Sequence, residues 1–208
     1  MRRRLLWLLP LSLVACSGPR GASSFPPAYV QSDRLPPALP SCAAPLGLDV
    51  ADARTDTSSV GRRFWEEHPN QDYPIRLEGK VDAFIQQGLE KALVRAGHPV
   101  QAGNAKNFTV KVTQLSVEEK VFRNSEYDGL VTLEVSLGTP GSEQPCWTGR
   151  IRGVSENYGK AGSAENYQET LSRALDHAAS ELFGNPDFGK ALCGKCAATP
   201  ASGPTQTL

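Results

Sequence analysis

The sequence predicts an α+β domain: a two-layer sandwich in which a mainly antiparallel sheet of about four strands carries two amphipathic helices on one face. Three observations predict it. Two segments, 81–96 and 164–183, repeat apolar residues at three- and four-residue spacing, the period of a helix with one buried face. Four shorter segments alternate apolar and polar residues, the period of a half-buried strand. The order is strand, loop, helix, three strands, helix. Short connections make consecutive strands antiparallel, and two helices are enough to cover one sheet face only.

The first strand is 46–53, with Leu46, Leu48 and Val50 against Gly47, Asp49 and Ala51. A stretch over 54–77 is polar except for Val60, Phe64-Trp65 and Tyr73-Pro74-Ile75, and is expected to be irregular. The first helix buries Val81, Phe84, Ile85, Leu89, Ala92, Leu93 and Ala96, and Gly97 and Pro99 stop it. Gly88 lies on its apolar face, where a missing side chain lets another backbone approach. In the second strand Phe108, Val110 and Val112 share a face, but the apolar parity then moves to Leu115 and Val117, which implies a bulge near Thr113-Gln114. The third strand turns Val131, Leu133, Val135 and Leu137 inward and Thr132, Glu134 and Ser136 outward. The fourth runs over about 147–157, with Trp147 and Ile151 inward and Arg150 and Arg152 outward. The last helix buries Tyr167, Leu171, Leu175, Ala178 and Leu182, with Ser163 as N-cap and Gly184-Asn-Pro186 as its end.

The chain begins Met1-Arg-Arg-Arg-Leu-Leu-Trp-Leu-Leu-Pro-Leu-Ser-Leu-Val-Ala-Cys16-Ser-Gly18. Three arginines before a short apolar run are the start of a bacterial export signal. The apolar run is about half the ~20 residues that a spanning helix needs. Its ending, Leu13-Val14-Ala15-Cys16, resembles a lipobox, which would make residues 1–15 a lipoprotein signal peptide and Cys16 the site of lipid attachment. Plain secretion, with a cut near Ala15-Cys16-Ser17, is the other possibility. Only a thiol forms the thioether to diacylglycerol, so Cys16 is irreplaceable under the lipobox reading. Diacylglycerol plus an N-acyl chain holds permanently, since each buried methylene contributes ~0.8 kcal/mol. Ser17 follows the cysteine where aspartate would retain an enterobacterial lipoprotein in the inner membrane. The implied location is the outer membrane, on its periplasmic side.

Residues 16–45 hold seven prolines with few branched residues and are expected to be a polyproline tether. About 25 such residues at ~3.1 Å each would reach on the order of 75 Å. Residues 46–186 are the α+β domain, and 187–208 are expected to be a flexible tail. Without the three signal arginines, 19 basic residues stand against 22 acidic ones, a balance of −3. There is no basic footprint for nucleic acid.

Apart from Cys16, the cysteines are Cys42, Cys146, Cys193 and Cys196. In an oxidising compartment they suggest up to two disulfides, and three pairings are open. Cys193-Gly-Lys-Cys196 would serve a thiol redox protein if it opened a helix. It follows a helix end instead, which favours a structural disulfide. As a zinc site the motif supplies two ligands of four, so no metal is expected. His68, His98 and His177 stand apart from one another, and no catalytic arrangement is assembled from them. The cluster Asp49, Asp52, Arg54 and Asp56 reads as ion pairing that closes a turn. Phe64 and Trp65, on a polar stretch, are candidate contacts for a partner, or alternatively a small core over a sheet edge.

Several segments resemble the YajG-like family of small outer-membrane lipoproteins: Leu48-Asp-Val-Ala-Asp-Ala-Arg54, Leu89-Glu-Lys-Ala-Leu-Val-Arg-Ala-Gly97, Val110-Lys-Val-Thr-Gln-Leu115 and the final helix, together covering about 46–184. The resemblance implies a periplasm-facing lipoprotein and brings no catalytic residues. Together these features point to a membrane-anchored envelope lipoprotein, non-enzymatic and without cofactor beyond its covalent lipid, that binds or supports an unknown envelope protein. The alternatives are an auxiliary lipoprotein of a lipid or ABC-type transport assembly, which needs an apolar cleft between helices and sheet, and the thiol redox protein.

Overall fold

The structure is a computed structural model that describes residues 23–42, 46–98, 100, 106–139, 142 and 144–194. The expected signal peptide 1–15, Cys16, Cys196 and the end of the chain's C-terminal stretch lie outside the described residues. The strands are β1 (Ser23–Phe25), β2 (Leu46–Asp52), β3 (Gly61–Trp65), β4 (His68–Leu77), β5 (Lys106–Val121), β6 (Ser125–Gly138) and β7 (Trp147–Gly159). The helices are α1 (Val81–Arg95), α2 (Ala164–Phe183) and α3 (Pro186–Leu192).

The α+β class stands, but the sheet has seven strands rather than four, in the order β1-β4-β3-β5-β6-β7 with β2 on β5. The stretch 54–77, expected to be irregular, contains the β3–β4 hairpin. Antiparallel pairing joins β5, β6 and β7, whereas β1–β4, β2–β5 and β3–β5 are parallel. The parallel β2–β5 pair follows from α1, which returns the chain to the same end of the sheet. The ladder between β5 and β6 shifts register between Val112 and Gln114, where the change of apolar parity placed a bulge.

α1 buries Val81, Phe84, Ile85, Gly88, Leu89, Ala92 and Leu93, one face at helical period. Gly97, at φ +81°, turns the chain out of it. A side chain at Gly88 would collide with the side chains of Leu175 and Tyr29, so its absence admits side chains rather than another backbone. Ser163 Oγ caps α2 by accepting from Asn166 N (3.4 Å). α2 lies close upon the sheet at Gly153, where a Cβ would stand 1.9 Å from Ala174 O.

Two segments expected to lack structure are folded. Residues 186–192 form α3, capped by Asn185 and started by Pro186. Its Phe188 is fully buried among the rings of Phe108, Phe183 and Trp147, 5.0–6.4 Å between centroids. Lys106 Nζ donates to the carbonyls of Ala191 (2.6 Å) and Leu192 (2.7 Å) at the end of α3, and burial lowers the pKa of this ammonium.

Residues 23–42, expected to be free tether, start as β1 at the edge of the sheet and then run over the helices as a strap. Phe25, Tyr29 and Leu39 are buried. Tyr29 N donates to Gln87 Oε1 (3.0 Å), Val30 N to Ser172 Oγ (3.0 Å) and Leu39 N to Ala96 O (3.1 Å). A disulfide joins Cys42 to Cys193 and ties the strap to the end of α3. Prolines serve here because an extended strap outside the ladder has no need of their missing N–H.

Candidate functional site

The helices cover one face of the sheet. The other presents Lys111, Asp128, Glu134, Arg150, Arg152 and Glu156 to solvent along β5, β6 and β7. Thr132, expected on that open face, is buried (4 % exposed) beside the bulge, where its carbonyl accepts from Thr113 Oγ1 (3.2 Å).

At the bulge this face is indented. β2 follows β5 as far as Val112, and β3 takes over the same edge from Val117. The intervening chain closes on β5 only at its ends, through Ala53 N to Val112 O (2.9 Å) and Val117 N to Val60 O (2.8 Å). Thr113, Gln114, Leu115 and Ser116 therefore have no strand on that side. They floor a cleft of about 560 Å³ walled by Arg54, Asp56, Arg62, Asp72 and Glu118.

Both arginines at the cleft are paired. Arg54 grips both oxygens of Asp52 (2.9 Å each) and donates to Ser59 O (2.9 Å), which folds the loop back. Those hydrogen bonds hold the Asp52 carboxyl below its ordinary value. Asp56 accepts from the backbone and hydroxyl of Ser58. Arg62 Nε donates to Glu118 (3.1 Å). Asp49, grouped with these in the sequence, is exposed on β2 and does not line the cleft. Such a cleft offers a stretch of β5 without a strand partner, walled by two arginines and three carboxylates, a setting for an extended peptide rather than for an anion or an apolar ligand.

Phe64 and Trp65 are adjacent on β3 and face opposite ways. Phe64 shares the open face with Arg62, whose guanidinium lies 5.4 Å from its ring centre. Trp65 closes over Arg63 on the covered face, edge-on to Tyr73.

Beneath Trp65 lies a polar cluster that the sequence did not disclose. Arg63 and Glu119 are 1 % and 0 % exposed and form an ion pair (4.0 Å). Glu119 also accepts from Ser125 Oγ (2.7 Å), Tyr127 Oη (3.2 Å), Gly162 N (2.8 Å) and Tyr167 Oη, while Arg63 Nη1 donates to Ser23 Oγ (3.0 Å). Burial, then the bond to Glu119, pushes the Tyr167 hydroxyl well up. A buried carboxylate with this many donors is a structural clamp. The signal was present in the sequence only as Arg63 and Glu119 at inward positions of their strands.

Cys193 is bonded to Cys42, so the Cys193–Cys196 pair that a redox centre requires is not the one present. Cys146 is disulfide-bonded as well. His68 is exposed on the hairpin, His98 is buried after α1, and His177 reaches the carbonyl of Val154. Among the described residues no three His, Cys, Asp or Glu side chains gather as a metal site, and no helix is long and apolar enough to cross a membrane. Phe84, Ile85, Leu89, Leu133 and Leu175 fill the space between helices and sheet at 0–1 % exposure, where a cargo cleft would have to lie.

No family model and no curated protein matches the chain. Solved structures do. A Xanthomonas campestris protein assigned to family DUF330 superposes with a TM-score of 0.52 at 10 % identity, over 78 % of this chain and 93 % of that one. A candidate lipoprotein from Caulobacter crescentus gives 0.41 at 18 % identity, over 57 % and 87 %. A minor lipoprotein from Acinetobacter baumannii gives 0.34 at 10 %, over 73 % and 94 %. The YajG-like assignment is not confirmed by these matches. The first of them shows a shared fold: the chain has the α+β architecture of the DUF330 protein from Xanthomonas campestris.

Proposed function

We propose that this chain is a non-enzymatic envelope lipoprotein, held in the outer membrane through acyl chains on Cys16 and facing the periplasm, whose domain binds an extended segment of another envelope protein. The observation that carries the binding role is the four-residue stretch Thr113–Ser116 of β5, left without a strand at the floor of a cleft on the helix-free face. An added strand there would pair its backbone with β5, and Arg62, Asp72 and Glu118 would select its side chains. Phe64, on the same face, is the apolar contact beside it; Trp65 is engaged by Arg63. Against the transport alternative stands the close burial of Phe84, Ile85, Leu89, Leu133 and Leu175 between helices and sheet.

Two measurements test the proposal. Intact mass of protein taken from its own envelope with detergent should show loss of residues 1–15 and gain of acyl chains; a soluble, unacylated product rejects the anchor. A photo-crosslinking residue placed at Gln114 or at Phe64 should trap one discrete protein in living cells, whereas the same probe at exposed Val94 on α1 should not. Identical products from all three positions reject the cleft as the binding site.

A further inference from the structure

The geometry of β1 sets which way the domain stands on its membrane. Ser23 is level with Ile75, Ile75 with Gly61, and Gly61 with Val117, one row across the sheet. β1 runs parallel to β4, which leaves the hairpin turn at Glu66-Glu67, so the chain enters β1 from the end of the sheet that holds that turn. Val121 and Ser125, flanking the turn 122–124, lie at the same end, as does Gly159 at the close of β7.

From Cys16 to Ser23 are seven Cα steps, at most about 25 Å of chain. The turn end lies four residues of β5 beyond Val117, about 13 Å at ~3.3 Å per residue, which is within reach. The opposite end, at Lys106, lies eleven residues away, about 36 Å, and is out of reach. A bilayer holding Cys16 can therefore meet the domain end-on at the turn end and not at the far end.

The end within reach has a surface suited to lipid. Phe122 projects from its turn 61 % exposed, and Tyr158 near it is 62 % exposed. Arg123 lies over the Phe122 ring at 5.8 Å, and Lys160 shares with both a groove of about 360 Å³. Glu66 and Glu67 at this end belong to the neighbouring hairpin turn, and Glu126, opposite Tyr158, lies with Glu156 and Asp128 on the helix-free face; the cations Arg123 and Lys160 are the charges that share the groove with the exposed Phe122 ring. Aromatic rings beside cations sit at the boundary of headgroups and acyl chains.

We propose that this end of the domain rests on the membrane, with Phe122 inserted at the acyl boundary and Arg123 and Lys160 on lipid phosphates. The assignment rests on Cys16 being the anchor. It leaves the cleft on the helix-free face beside the bilayer rather than against it.

The test uses the full acylated protein in vesicles of phosphatidylethanolamine and phosphatidylglycerol containing brominated acyl chains, which quench tryptophan at contact. Phe122→Trp and Val94→Trp are compared after subtraction of the parent signal from Trp65 and Trp147. Val94 is equally exposed (60 %) near the end of α1, close to the far end of the sheet. The expected result is quenching at least about twofold greater for Phe122→Trp, reduced when Arg123 and Lys160 are both changed to Glu. Equal quenching, or greater quenching for Val94→Trp, overturns the orientation while the anchor stands. A preparation whose mass lacks acyl chains overturns the anchor itself.

Discussion

Tyr29 donates its hydroxyl to the carboxylate of Asp176, two residues 147 apart in sequence that meet where the strap crosses α2. Ser32 donates to the other oxygen of the same carboxylate. Burial first, and then this bond, raises the Tyr29 hydroxyl far above its ordinary value. The segment 23–42 is thus part of the fold and not spare length.

Tyr29→Phe keeps the ring and removes one donor from a carboxylate that is 6 % exposed. Leaving a buried charged acceptor short of a donor costs about 1–3 kcal/mol. The melting temperature should fall by several degrees with the sheet intact by circular dichroism. An unchanged melting curve would mean that the Tyr29–Asp176 bond contributes nothing to stability.

Reduction of the Cys42–Cys193 bond, or Cys42→Ser, should destabilise strap and α3 together. The bond closes a separation of 151 residues, and constraint of the unfolded chain at that length is worth about 3–5 kcal/mol. Denaturant titration of the oxidised protein and of Cys42→Ser measures the difference. Hydrogen exchange should show the loss first at residues 23–42 and 186–192.

Two carboxylates should give opposite pH signatures. Hydrogen bonds from Arg54 hold Asp52 below its ordinary value of 3.8. Its contribution is therefore present above that value and lost as pH falls through the depressed native one. Asp128 is raised above 3.8 by burial and by Glu126, Glu156 and Glu118 around it. Its effect favours the fold below 3.8 and is lost as pH rises through the raised native value. Asp52→Asn should be less stable than the parent at pH 7 and equal to it at the acid end. Asp128→Asn should be more stable at pH 7, with its advantage disappearing below pH ~4. Stability curves of the three proteins from pH 3 to 8 decide both.

β7 ends the sheet, and α2 covers its edge with side chains. Arg152 N donates to Glu181 Oε2 (3.3 Å), and the Val154 carbonyl accepts from His177 Nδ1, which therefore carries the proton. An uncovered edge of this length is a template for another strand. His177→Ala with Glu181→Ala should self-associate at concentrations where the parent's mass by light scattering does not change. Equal masses would show that these contacts do not protect the edge.

The local elements were legible because their burial is periodic. The last helix spans 164–183 with Ser163 as its cap, as the spacing of Tyr167, Leu171, Leu175 and Leu182 predicts. The bulge in β5 shows as one change of parity between Val112 and Leu115. The β3–β4 hairpin was not legible, because its inward position holds Arg63, whose partner Glu119 comes from another strand. An inward arginine breaks the alternation that marks a strand, and only the partner's arrival makes burying it tolerable.

What the sequence by itself determined is the pair of long helices, the central strands and the basic-apolar-cysteine start, all properties of contiguous residues. The tertiary structure alone decided that the proline-rich segment is a strap, that Cys42 meets Cys193, and that β5 exchanges β2 for β3 over the cleft. Each of these joins segments far apart in the chain. Phe25, Tyr29 and Leu39 follow no period because an extended strap buries a side chain only where it crosses a helix, and the position of that crossing is a property of the assembled fold.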